Sequence, residues 1–372
     1  MIFTMGFYIH QRENWTNFTW DDAALSVSLG KVRNLQGKLI GKMEILGFAL
    51  RQEALLETLS LDVLKSSEIE GEFLNPEQVR SSLARKLGMD IAGLVASDRN
   101  VDGMVEMMLD ATQNNQTALS EKRLFDWHAA LFPTGRSGMY AIEVAAWRTG
   151  EMQVVSGALG KEKVHFQAPN AALLPQEMSK FIDWFNAEQS LDPVLKAGIA
   201  HLWFLTIHPF DDGNGRIARA ITDMQLSKTD GSSQRFFSMS AQIRKQRNDY
   251  YAILEKTQKG TSNITGWLLW FMECLTQALL DTDTVLEKVL SKAKFWDIHR
   301  NTAFNDRQKL IINKLMDNFE GKLTSSKWAK IAKCSPDTAL RDIQDLIKKE
   351  VLQKEAAGGR STNYELVVPN NK

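Results

Sequence analysis

The stretch HLWFLTIHPFDDGNGRIAR, residues 201–219, decides how the rest of the chain is read. Its first seven residues are nearly all apolar and continue a helical run, and Pro209 forces that helix to stop near His208, because proline disfavours helical backbone in the residue before it. Gly213, Asn214 and Gly215 then tolerate backbone conformations that other residues resist, so successive N–H groups converge into an anion-binding nest. The helix that starts there adds unpaired N–H groups and the positive end of its dipole, which makes a phosphate cradle. On that helix Ile217, Ala220, Ile221 and Met224 form the apolar stripe, while Arg216 and Arg219 lie three residues apart and look back over the helix start. Two guanidiniums above a nest suit a polyphosphate. Asp212 is placed to hold a Mg²⁺ ion bridging phosphate oxygens, and His208 to accept a proton from an attacking hydroxyl.

Helical periodicity dominates around this loop. Apolar residues recur at three- and four-residue spacings over 21–66, 76–87, 99–113, 120–132, 175–188, 192–207, 214–227, 241–258 and 264–292. One segment breaks the rhythm: MQVV and KVHF, joined by a Gly-rich connection and ended by Pro169, read as a β-hairpin over about 151–167. A new rhythm of short helices begins at Asp306. The helix expected there over 306–319 has Leu310, Ile311 and Leu315 inside, and SSKWAKIAK is a second short helix. Ser335 and Pro336 open a third, running to Lys349 with Ala339, Leu340, Ile343, Leu346 and Ile347 inside. Two strands around a Gly-Gly-Arg tip complete this region. The fold class is mainly α, in three parts: an N-terminal helical region over 1–110, a helical core over 111–300 and a small domain over 305–372.

The composition bounds the function. The 372 residues carry 45 Lys and Arg against 45 Asp and Glu, so any attraction to nucleic acid or an acidic surface must be local. Residues 305–372 hold 13 Lys or Arg against 9 Asp or Glu, a net charge of +4. No run is long and apolar enough for a membrane span, and the first residues lack the basic and apolar regions of a secretory leader. Cys274 and Cys334 show neither disulfide-framework nor zinc-ligand spacing, which points to a reducing cytoplasm.

The residues from His208 to Arg219 match HxFx(D/E)GNGRxxR at every defined position, and on them the chain resembles the Fic family. The resemblance implies a helical Fic core and transfer of AMP from ATP to a Ser, Thr or Tyr hydroxyl of a protein, with pyrophosphate released. His208 is then the base and Asp212 the Mg²⁺ ligand. Gly213, Asn214 and Gly215 hold the α and β phosphates, Arg216 contacts the phosphates, and Arg219 reaches the γ phosphate. The 151–167 hairpin occupies the place of the family's flap, which holds a target segment by strand addition. IRKQRNDYYAILEKTQKG resembles the nucleoside-side segment, where Tyr250 and Tyr251 help enclose the adenosine, with Gln258 near a position where relatives often carry Asn.

SSEIEG, Ser66 to Gly71, matches the inhibitory pattern [ST]xxxE[GN] of the same family. It implies that Glu70 pairs with Arg219 and displaces the γ phosphate, with Ser66 orienting the helix. Read without that loop, the stretch is a helix end with a glycine cap. Trp15, Phe18 and Trp20 are expected as packing residues of an N-terminal region like that of many bacterial Fic proteins. Residues 305–372 resemble a winged helix-turn-helix, with Thr338, Arg341, Lys348 and Arg360 exposed towards DNA and Asp342 and Asp345 opposing it. Three functions stay open: an autoinhibited adenylyltransferase, a DNA-associated regulator with a silent Fic core, and removal of AMP by the same site. Self-modification and a homodimer are open as well.

Overall fold

In the computed structural model, the described residues are 8–367 without 90, 92, 158–162, 189, 230–234, 318, 320 and 356–361. The chain divides into two compact units, Met1–Leu87 with Ala96–Val285, and Gly88–Val95 with Leu286–Lys372. Most of the region 1–110 that the sequence set apart therefore belongs to the same unit as the core. No described helix is long and apolar enough to cross a membrane.

The first unit is built around one buried helix. Pro193 stands at its first turn and the Asp192 side chain caps it by accepting from Val194 N–H. The helix runs Pro193–Ile207, and Val194 to Ile207 are all buried. A helix apolar on every side belongs inside a protein. Against it packs the helix Asn214–Thr229, which carries the two arginines. In chain order the other helices of this unit are α1 (Asp22–Ile45), α2 (Phe48–Ile69), α3 (Pro76–Lys86), α4 (Arg99–Gln113), α5 (Glu121–Leu131) and α6 (Leu174–Asn186). The two central helices are then α7 and α8, and α9 (Met239–Lys245), α10 (Arg247–Gln258) and α11 (Thr265–Ile298), the last in this unit only as far as Val285, follow. Asp21, Asn75, Asp98 and Ser120 cap α1, α3, α4 and α5 through their side-chain oxygens.

Two small antiparallel hairpins belong to the same unit: β1 (Arg136–Ser137) with β2 (Tyr140–Ala141), and β3 (Gln153–Ser156) with β4 (Lys163–Gln167). Val154 pairs with Phe166 and Val155 with Val164, so His165 is the extra residue of a bulge. Helix α2, which carries Ser66 and leads into Glu70, is pinned by a buried ionic group. Asp62 accepts from Arg235 and from Ser238 Oγ, and Arg235 also binds Asp223 of α8. All three charged side chains are shut off from solvent, and burial beside Asp62, opposed by Arg235, pushes Asp223 up to about 7. Trp15 and Phe18 meet edge to face and both contact Trp203, as expected of packing residues.

The second unit holds α12 (Asp306–Met316), α13 (Ser325–Ile331), α14 (Pro336–Lys348) and the antiparallel pair β5 (Leu352–Lys354) and β6 (Tyr364–Leu366). Its core centres on Ile311, Ile312, Trp328, Ile343 and Leu346.

The sequence reading needs correction in several places. The segment 21–66 is two helices, because the chain turns extended at Leu46 and Gly47 before α2 begins. The segment 241–258 breaks at Gln246, and α12 ends at Met316 rather than 319. Leu340 is 41% exposed, since the core face of α14 falls on Ala339, Ile343 and Leu346. Ile312, not Leu310, is the buried neighbour of Ile311. Thr338 is half-buried, with its N–H donating to the Ser335 cap. The Gly-Gly-Arg tip with Arg360 lies outside the described residues.

Candidate active site

His208 ends α7 in a left-handed conformation, φ 52° and ψ 60°; Pro209 disfavours the helical conformation there, and the left-handed one taken instead is uncommon for a residue other than glycine. Its Nδ1 lies 3.2 Å from the Leu205 carbonyl oxygen. A carbonyl only accepts, so Nδ1 carries the proton and Nε2 keeps its lone pair. Burial, aided by the Arg148 guanidinium, lowers the His208 pKa to about 4. The imidazole is therefore neutral near pH 7 and able to take a proton.

The loop that follows is braced by Asn214. Its amide donates to Phe210 O at 2.8 Å and its Oδ1 accepts from Phe210 N–H at 3.0 Å, which leaves the first backbone N–H groups of α8 facing outward. Gly213 adopts φ +82°. At Gly215 a side chain would collide with Glu70 Oε1. The nest is thus already lined by an anion, the Glu70 carboxylate.

Glu70 arrives there through the way α2 ends. Gly71 N–H donates to Glu68 O and Glu72 N–H donates to Ser67 O, the double turn in which a left-handed glycine closes a helix. Gly71 supplies the required φ of +83°. This turn throws two carboxylates towards α8. Arg219 donates to Glu70 Oε1, to Ser66 Oγ and to Ser66 O, each at 2.8 Å. Arg216 donates to Glu72 Oε2 at 2.6 Å and stacks on Phe132. Both guanidiniums are buried, yet Arg219 Nη1 and Arg216 Nε have no partner among the described residues. Cationic N–H groups left unpaired beside an anion nest fit a larger anion than one carboxylate.

Family comparison agrees with this geometry. Residues 118–226 match the Fic/DOC family, and residues 8–89 match a domain of unknown function, DUF4172. The chain carries a Fic/DOC family domain. Protein adenylyltransferase fic-1 of Caenorhabditis elegans is 28% identical over 182 residues, 46% of this chain and 32% of that protein. Protein adenylyltransferase Fic of Culex quinquefasciatus is 26% identical over 224 residues, 58% of this chain and 40% of its own length. The chain thus spans well under half of each of these relatives. In fold it is similar to a Fic family protein from Desulfovibrio desulfuricans, with a TM-score of 0.53 at 19% identity over 94% of this chain and 97% of the other. A Fic domain containing signaling protein from Bacteroides thetaiotaomicron gives 0.52 at 22% identity, over 71% and 97%.

Several residues that serve the Fic loop went unnoticed in the sequence. Arg148 donates to His208 O, Gly150 O and Pro169 O at 2.8, 2.7 and 2.6 Å, so one buried guanidinium ties the base of the β3–β4 hairpin to the histidine. His128 stacks on Phe210 and its Nε2 reaches Asp212 O at 3.1 Å, supporting the loop from behind. Glu72 and Ser137, whose hydroxyl binds Asp212 Oδ2, complete the surround. None belongs to a motif, and a lone arginine or histidine carries no local signal. Removing Arg148 would take this donor from three carbonyls, Pro169 O buried and His208 O and Gly150 O partly so, at about 1 kcal/mol each. Arg148→Ala is expected to lower unfolding stability by about 3 kcal/mol, which denaturant titration reads directly. A change under about 1 kcal/mol would show that water replaces the guanidinium.

The two tyrosines separate. Tyr250 is buried, and its hydroxyl is 2.8 Å from His201 Nε2. Thr222 Oγ1 spends its proton on Ala218 O, so it accepts from His201 Nδ1, and His201 Nε2 must accept from Tyr250. Tyr250 is thus a member of the core. Tyr251 is half-buried, with the Arg247 guanidinium over its ring. Gln258 donates to Leu205 O, the carbonyl that also holds His208, at 3.3 Å. Asp212 presents a half-open carboxylate that accepts from Gly213 N–H and lies 3.9 Å from Arg216.

Proposed function

We propose that the chain is a protein adenylyltransferase that moves AMP from ATP to a protein hydroxyl, held in check by its own Glu70. The observation that carries this reading is the Glu70 carboxylate seated against Gly215 and bonded to Arg219, an anion already placed where a nucleotide phosphate would go. The Fic domain and the name of its adenylyltransferase relatives support the same chemistry. In this mechanism Nε2 of His208 takes the acceptor's proton, the acceptor oxygen bonds to the α phosphorus, and pyrophosphate leaves. The nest at Gly213–Gly215 and Arg216 orient the α and β phosphates, and Arg219 takes the γ phosphate once Glu70 withdraws. Asp212 would hold a Mg²⁺ ion, which neutralises charge on the departing pyrophosphate; a single carboxylate with substrate phosphates is a donor set that magnesium favours. Tyr251 would flank the nucleoside, and the β3–β4 hairpin would receive the target strand. The cytoplasm and a homodimer belong to this proposal. Incubating the chain with ATP, Mg²⁺ and candidate proteins tests it: an acceptor that gains the mass of AMP supports transfer, and loss of that mass from a modified acceptor would favour the reverse, AMP-removing activity.

The lowered His208 pKa has a kinetic consequence. The neutral imidazole is the working form, present above the pKa and lost below it, so kcat/KM of the Glu70→Gly chain is expected to stay level from pH 8 down to 6. A fall centred near 6.5, as for an ordinary histidine, would contradict this.

For residues 305–372 we propose a winged helix-turn-helix that contacts DNA. Its opposing acids are spent internally: Asp342 is buried against Arg307 at 2.7 Å and Asp345 binds Lys349 at 2.5 Å, while Arg341 and Lys348 stay exposed on α14. DNA affinity should fall steeply with salt, and Arg341→Ala should reduce the log–log slope by about one. Salt-insensitive behaviour would assign this region to protein docking instead.

A further inference from the structure

The end of α2 is held from two sides. A helix leaves the carbonyl groups of its last turn without partners in the helix itself, so each must find a donor elsewhere. For α2 these are the carbonyls of Ser66 to Ile69. Ser67 O accepts from the N–H groups of Glu70 and Glu72, and Glu68 O from that of Gly71. The other two are taken by arginines: Ser66 O by Arg219 of α8 and Ile69 O by Nε of Arg247 of α10, each at 2.8 Å. Arg219 belongs to the phosphate side of the site, whereas Arg247 has no part in the AMP transfer proposed above.

The place of Arg247 in its own helix does not account for it. It is the first residue of α10, where a cation opposes the positive end of the helix dipole. At the end of α2 the same charge meets the negative end of a dipole and is favoured. Its effect there falls on Glu70. Ile69 C=O and Glu70 N–H belong to one planar peptide unit, whose oxygen accepts from Arg247 and whose N–H donates to Ser67 O at 3.0 Å. The next unit is held by Gly71 N–H, which donates to Glu68 O at 3.1 Å. With the planes on both sides of its Cα held, the Glu70 side chain leaves the backbone in a set direction, towards Gly215 and Arg219. The Arg247 guanidinium also lies over the Tyr251 ring, its Cζ 5.1 Å from the centroid. Arg247 itself is exposed, so replacing it leaves no hole in the core.

We propose that Arg247 is a positioning residue for Glu70: by holding Ile69 O it keeps the Glu70 carboxylate on Arg219, and loss of that bond opens Arg219 to the γ phosphate of ATP. The proposal rests on the autoinhibited AMP-transfer reading above and adds to it a contact from the helix that carries Tyr251. Arg247 touches no reacting atom in this scheme. It acts only while Glu70 is present.

AMP transfer by the full chain, to itself or to an added acceptor, is measured for Arg247→Met and Arg247→Ala, each with Glu70 intact and with Glu70→Gly. Methionine keeps an unbranched apolar stem over Tyr251 but donates nothing, so it removes the hydrogen bond and spares the packing. With Glu70 intact, both variants are expected to raise kcat by about three- to tenfold, the equivalent of one hydrogen bond, and to leave KM for ATP largely unchanged. In the Glu70→Gly background the same substitutions should change nothing, because no carboxylate remains to be positioned. Amide hydrogen exchange over residues 66–72 should quicken in both variants while that of α7 stays as it was, a readout independent of transfer. An unchanged kcat with Glu70 intact, or unchanged exchange over 66–72, overturns the role of Arg247, and activation by Glu70→Gly in the same assay leaves the brake standing. An equal change with and without Glu70, or a shift in KM alone, assigns Arg247 to nucleoside binding or to folding and overturns the proposal as well. Transfer by none of the chains, Glu70→Gly included, removes the adenylyltransferase reading and this proposal with it.

Discussion

Glu70→Gly is expected to raise AMP transfer by roughly tenfold or more, about 1.4 kcal/mol of barrier for each factor of ten. The carboxylate it deletes occupies both the nest at Gly215 and one arm of Arg219. Its removal frees the guanidinium for the γ phosphate and lets the α phosphate settle for in-line attack. Gly71 still closes α2, so the helix end survives the substitution. Arg219→Ala should cancel the gain, and the double variant should behave as Arg219→Ala alone. Glu72→Gln should give a smaller rise, because it releases Arg216 while Glu70 stays in place. If Glu70 only terminated a helix, Glu70→Gly would leave transfer unchanged or lower it through lost stability. Transfer rates at matched ATP and matched folded fraction separate these outcomes.

His208→Ala should cut transfer by about 10²- to 10⁴-fold, the usual contribution of a general base, with ATP binding largely retained. The cradle is made from α8 backbone, Arg216 and Arg219, and the His208 ring touches none of them in the contacts described above. A Glu70→Gly background makes the loss measurable against a high starting rate. Substantial transfer without the imidazole would place the base elsewhere.

What could be read from the chain was local. The end of α7, the glycine turn and the two arginines on α8 lie within a dozen consecutive residues, and their backbone preferences act over one or two turns. The arginine and glutamate that meet across 149 positions were legible only because each sits in its own short pattern. The relations that failed to show are of another kind. Leu340 was expected inside because helical spacing alone does not say where a stripe stops, and the neighbouring helices place the boundary beside Ala339. Tyr250 and Tyr251 look alike as adjacent letters, yet on a helix they point about 100° apart, and only the position of His201 sends the first into the core.

By itself the sequence determined the helical class, the stop at His208, the nest and the residue types around it, because torsional preference and hydrophobic period are properties of short segments. The tertiary structure alone decided that Glu72 meets Arg216, that Arg148 locks the hairpin to His208, and that Arg247 reaches Ile69 O at the end of α2. Those contacts join residues from 60 to 178 positions apart. They depend on how helices rotate against one another, and this is settled by packing of the whole core.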